Sequence, residues 1–122
     1  MKTVAIIGTS NSIMGERGYV KALRNSFAVD NLSIGRTPIH RHIALLSRQR
    51  ARLAAADLII LEHYVNDIVF YAKAFHDMGR FDEYMAHAEK FYRGLAALSL
   101  PVVNVFSPVD PACWGLMPLS AE

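Results

Sequence analysis

The feature that most constrains this chain is an alternation of two hydrophobic periods. Short β-branched or continuously apolar runs, Lys2 to Gly8, Phe27 to Ile34, Asp57 to Glu62 and Pro101 to Phe106, are separated by long amphipathic stretches. The runs read as strands. Between the first two, Tyr19, Leu23 and Phe27 recur every fourth position from Gly15 onward, the period of a helix. After Gly35, Thr37 and Pro38 suit an N-cap and first helical position and open a helix to about Ala56. After Glu62, Asp67 to Met78 reads as helical, Gly79 is expected to break it, and Phe81 to Leu98 follows as a further helix. Its stripe of Phe81, Tyr84, Met85, Ala88, Tyr92 and Leu95 is expected to be core. From Ser107 onward, with Pro108, Pro111 and Pro118, no period is visible. Strands joined by helical stretches require right-handed βαβ crossovers and hence a parallel sheet. The expectation is an α/β fold, a three-layer α/β/α sandwich with four parallel strands, in a single domain over residues 1–122.

Composition narrows the class. With 122 residues, 52% of them hydrophobic and 20% charged, the chain can bury an ordinary core and is not of disordered type. Cys113 is the lone cysteine, so no internal disulfide can form. Apolar runs such as Val4 to Ile7 fall far short of the ~20 residues that span a bilayer. These features lead to the expectation of a cytoplasmic protein without membrane association. A net charge of +2 does not by itself imply nucleic acid.

In open parallel sheets ligands bind outside the carboxyl ends of the strands. The loops there are Gly8-Thr9-Ser10-Asn11-Ser12, Ser33-Ile34-Gly35-Arg36 and His63-Tyr64-Val65-Asn66-Asp67. Together they offer a hydroxyl, a glycine N–H and a side-chain amide, the set acyl transfer needs: a nucleophile and donors for a developing oxyanion. Each has a plainer reading, as a helix cap or a turn residue.

The motifs in these loops resemble those of the SGNH, or GDSL-like, hydrolases. Gly8-Thr9-Ser10-Asn11-Ser12 is similar to that family's G-D-S-x-[ST] motif with Thr9 in place of aspartate, Gly35 to its second-strand glycine, and Tyr64-Val65-Asn66-Asp67 to its G-x-N-D motif with Tyr64 in place of glycine. The resemblance implies a flavodoxin-like parallel sheet and an esterase acting on a small ester or an O-acyl carbohydrate. It implies Ser10 as nucleophile and oxyanion donor, Gly35 and Asn66 as further oxyanion donors, and Asn11, Ser12 and Asp67 as binding residues. No cofactor or metal is expected. The family's D-x-x-H motif occurs nowhere in the 122 residues; none of His40, His42, His63, His76 and His87 has an aspartate three positions earlier. The chain is therefore expected to be truncated after the fourth strand, with the catalytic Asp and His missing. Of the five histidines, His63 at the end of the third strand is the one placed near Ser10. The alternative is a non-catalytic binding module for a small molecule or carbohydrate. With no fifth strand, the outer side of the fourth is expected to pair with a second copy or lie under the Ser107 to Glu122 tail.

Arg36, Arg41, Arg48, Arg50 and Arg52 fall in one stretch with no intervening acidic residue. Arg41, Arg48 and Arg52 share a helical face, read as a solvated surface, with nucleic acid an unlikely partner. Arg50 falls on the apolar stripe of Ile39, Ile43, Leu46 and Leu53, a placement the sequence leaves without explanation.

Overall fold

The computed structural model of the chain describes residues 1–9, 12, 18–35, 39–62 and 78–105, with the helix path alone for 78–81. Its elements in chain order are β1 (Thr3–Gly8), α1 (Tyr19–Leu23), β2 (Ala28–Asn31), α2 (Ile39–Arg48), α3 (Arg50–Ala54), β3 (Leu58–Glu62), α4 (Met78–Ala96) and β4 (Val102–Asn104). All strand pairs are parallel, in the order β2-β1-β3-β4, the flavodoxin-like arrangement of an α/β fold.

Burial explains the order. Apart from Thr3 and Glu62 at their ends, β1 and β3 are apolar, and they are buried on both faces, as inner strands of a parallel sheet must be. β2 and β4 are largely half-buried or exposed and flank them. Successive residues of the inner strands supply two cores. Ala5, Ile7, Ile59 and Leu61 pack with Ile39, Leu45 and Leu46 of α2, Leu53 of α3, and Ala88, Phe91 and Leu95 of α4. Val4, Ile6 and Ile60 pack with Val20 of α1, against which Tyr19, Leu23 and Phe27 close. α1 thus lies against one face, and α2, α3 and α4 against the other.

Several local expectations are corrected. The second strand is shorter than Phe27 to Ile34: ladder pairing stops at Asn31, and Leu32 and Ile34 continue only by donating backbone N–H groups to Ile6 and Gly8 carbonyls. The helix expected through Ala56 is broken at Gln49, whose φ of −107° and ψ of 19° leave the helical region. That break accounts for Arg50. It opens α3 in a new register and is exposed, while Leu53 alone of that helix is buried. The helix expected to start at Phe81 begins earlier, so that Gly79 lies in the first turn of α4, which opens at Met78. The buried stripe of α4 is Ala88, Phe91 and Leu95, with Tyr84 packed beside them, whereas Met85 and Tyr92 are 49% and 41% exposed. A stripe centred on Phe91 faces α2, where Gly94 permits close approach: a Cβ there would lie 2.9 Å from Leu46 Cδ1. The helix expected over Asp67 to Met78 and the tail from Ser107 lie outside the described residues, apart from Met78, which opens α4.

Phe91 is fully buried and touches His42, also fully buried, with ring centroids 6.2 Å apart. Phe91→Ala should cost about 3–5 kcal/mol through lost transfer energy and a cavity. Urea unfolding of both proteins measures it, and a loss under about 1 kcal/mol would contradict this account of the core.

Candidate functional site

The chain leaves β1 toward β2 on one side and crosses to β3 on the other, so strand order reverses between β1 and β3. A crevice opens at the carboxyl ends of such a pair. Gly8 and Glu62, the last residues of β1 and β3, are direct partners in the ladder.

Glu62 is 2% exposed. Its Oε1 accepts the Thr9 N–H at 3.2 Å and the Ser12 hydroxyl at 2.8 Å, and its Oε2 accepts the Thr9 hydroxyl at 2.9 Å. No Lys or Arg among the described residues forms an ion pair with it. A buried carboxylate is tolerated only when hydrogen bonds replace its lost hydration, and bonds to a charged group contribute about 1.5–3 kcal/mol each. Thr9 and Ser12 are both fully buried. The Ser12 N–H also donates to the Thr9 carbonyl at 3.0 Å, closing the four-residue span from Thr9 to Ser12.

The Ser12 hydroxyl is also hydrogen-bonded to the Tyr19 phenol at the start of α1. Ser12 has one hydroxyl proton and Glu62 accepts it, so Tyr19 donates to Ser12 in the resting arrangement. Burial raises the Tyr19 phenol above its ordinary value of 10.0; the Ser12 hydroxyl, which can turn to a phenolate, offsets part of this, and the negative charge of Glu62 adds to the rise. Gly18, at φ 64°, directs the chain into α1 and brings Tyr19 to this position.

The loop after β2 reaches the same edge. The Asn31 amide donates to the Ser12 carbonyl at 2.8 Å, its oxygen accepts the Ser33 N–H at 3.1 Å, and the Ile34 N–H donates to the Gly8 carbonyl at 3.0 Å. Gly35, the next residue, is exposed. The Ser33 hydroxyl is buried and has no hydrogen-bond partner among the described residues. Gly8 is where these loops meet, since a Cβ there would stand 2.8 Å from Ser12 Cβ and 3.0 Å from Ser33 Oγ.

Of the expected site residues, Ser12 and Gly35 are thus brought to the carboxyl end of β1. Ser10, Asn11, Asn66 and Asp67 lie outside the described residues, as does His63, which follows Glu62 in sequence. Glu62, Tyr19 and Asn31, which the motifs do not single out, join Thr9 and Ser12 at this edge through hydrogen bonds. The available signal was a glutamate closing an otherwise apolar strand, since a charge there needs buried donors.

The basic stretch is partly neutralised: Arg52 Nε donates to Asp30 Oδ2 of β2 at 3.0 Å, and a second guanidinium nitrogen binds Oδ1. Arg36 lies outside the described residues. Among the described residues, no group of three or more His, Cys, Asp or Glu side chains could hold a metal ion, and no helix is long and apolar enough to cross a membrane. No family model and no curated protein matches the chain.

Two outcomes are expected. Gly8→Ala should destabilise by about 1–3 kcal/mol, because its methyl group must displace Ser12 within a packed cluster; an unchanged denaturation midpoint would show that the loops yield freely. The raised Tyr19 phenol favours the protonated form in the folded state, so its contribution is present below about pH 10 and is lost as pH rises through the folded value. Wild type should lose stability relative to Tyr19→Phe as pH rises above about 10, read as the difference in Tm. A difference constant with pH would remove Glu62 and burial as influences on this phenol.

Proposed function

We propose that the protein is an ester hydrolase, or acyl-transfer relative, of the SGNH type, acting on a small ester or an O-acyl carbohydrate. The observation that supports it is the convergence of the loops after β1 and β2 on the switch point of a parallel sheet, held by the Ile34–Gly8 and Asn31–Ser12 hydrogen bonds. In this reading Ser10 attacks the carbonyl carbon while the Ser10 and Gly35 N–H groups and the Asn66 amide hold the oxyanion. The proton leaving Ser10 needs a base, and the D-x-x-H that supplies one in the resembled family is lacking in the 122 residues. The base comes from outside these residues or from a second copy, and the serine is correspondingly weak, since general-base help contributes about 10²- to 10⁴-fold. The same lack favours a second reading, a binding module that holds an ester or sugar in this crevice without turning it over. The proposed location is the cytoplasm, in keeping with a lone cysteine.

The test is kcat/KM for p-nitrophenyl acetate in wild type and in Ser10→Ala, Asn66→Ala and His63→Ala. Expected is slow hydrolysis, nearly retained in Ser10→Ala because a serine without its base adds little over direct attack by water, and reduced about 10²-fold in Asn66→Ala, because an oxyanion donor acts without a titrating partner. Rates equal to buffer in all four proteins would favour the binding module. Robust turnover abolished by both Ser10→Ala and His63→Ala would instead make His63 the base of a complete enzyme.

A further inference from the structure

The Glu62 carboxylate is the one charged group buried at the switch point among the described residues, and the proposed chemistry gives it no role. Its hydrogen bonds have a pattern beyond solvation. All three donors come from Thr9 and Ser12, the two residues that flank Ser10 and Asn11 in sequence. A single side chain of β3 therefore holds both ends of that four-residue span against the strand. Tyr19 adds a second hold from α1 by donating to Ser12, and Asn31 a third from β2 by donating to the Ser12 carbonyl. Three elements with separate packing converge on the same short stretch.

We propose that Glu62 is a positioning residue whose carboxylate sets the backbone of the loop after β1, with Ser12 and Tyr19 as the outer members of the same clamp. What the clamp positions rests on the ester-hydrolase reading: the Ser10 N–H is an oxyanion donor there, and misplacing such a donor by about 1 Å can cost up to about 10²-fold in rate. The existence of the clamp does not rest on that reading. Glu62 touches no substrate in this scheme, and it is not the base. Its oxygens are already occupied by Thr9 and Ser12, and at 2% exposure they are closed to solvent.

Substitution chemistry separates positioning from simple support of the fold. Glu62→Gln keeps one carbonyl oxygen for the Thr9 N–H and Ser12 hydroxyl, and the Thr9 hydroxyl can rotate to accept from the new amide. Glu62→Leu keeps the volume and removes every acceptor. The experiment records amide hydrogen exchange by NMR, far-UV circular dichroism and p-nitrophenyl acetate kinetics for wild type, Glu62→Gln, Glu62→Leu, Ser12→Ala and Tyr19→Phe. Thr9 and Ser12 amides should exchange about tenfold or more faster in Glu62→Leu, with Ile6 and Ile60 unchanged, and Glu62→Gln should restore most of the protection. Kinetically, kcat should fall about tenfold or more in Glu62→Leu with KM within about twofold. Unchanged exchange at Thr9 and Ser12 overturns the clamp, and so does a uniform rise across the sheet. Should Glu62→Leu fail to fold, Ser12→Ala and Tyr19→Phe give the same local readout by removing an outer member, and unchanged Thr9 exchange in both overturns the proposal. If exchange responds as stated while Asn66→Ala leaves hydrolysis at its wild-type rate, the clamp stands and the ester-hydrolase reading falls.

Discussion

Pairing of β1 with β3, each buried on both faces, is the constraint on which the rest of the structure depends. Two strands that cannot meet water on either side must lie inside the sheet, which sends β2 and β4 to its flanks. Their alternate side chains then need cover on both faces, and the chain supplies α1 to one and α2, α3 and α4 to the other. The crossover from β2 over β1 to β3 follows, and with it the reversal of strand order at whose carboxyl ends sheets of this kind bind their ligands. Core packing and the location of the site are thus consequences of the same two apolar runs.

The carboxyl end of that pair is also where the packing logic changes. Ile59, Ile60 and Leu61 are satisfied by apolar neighbours, but Glu62, next along the strand and equally buried, is not. A hydrocarbon there would keep the core and leave the Thr9 N–H without its acceptor. The carboxylate instead draws in backbone and hydroxyl donors and turns a strand end into a polar node. Such a node is expensive if half satisfied, because an unpaired buried polar group costs about 1–3 kcal/mol. The close approach at Gly8 follows from the same crowding, since Ser12 and Ser33 occupy the space a side chain would need.

Strand identity was legible because the four runs are short and rich in apolar or β-branched residues, whereas the flavodoxin-like arrangement came only as what the family resemblance implies. Helix limits were less so. The run from Thr37 to Ala56 has one unbroken amphipathic pattern except at Arg50, and that exception marked the break at Gln49. In α4 two aromatic stripes are available, through Tyr92 or through Phe91, and periodicity cannot choose between them. The choice is made by the partner helix α2, which is tertiary information. At the site, position along the strands sufficed to bring Ser12 and Gly35 to the carboxyl end of β1. The donors around Glu62 could not be assigned from sequence, because they join positions 9, 12 and 62 through the β1–β3 register.

The node also bears on which hydroxyl of the first loop can react. Thr9, Ser10 and Ser12 all carry one. Thr9 and Ser12 are fully buried, and each donates its proton to Glu62. A Ser12 attack would require leaving that bond, losing the Tyr19 donor and moving an atom that Gly8 barely accommodates. A carboxylate beside a serine looks like a nucleophile and its base, but here the burial of both makes it a structural pair. The proposed assignment of the nucleophile to Ser10, which the family resemblance implies, asks nothing of these two hydroxyls. The same carboxylate holds the two residues that flank Ser10 and Asn11 in sequence.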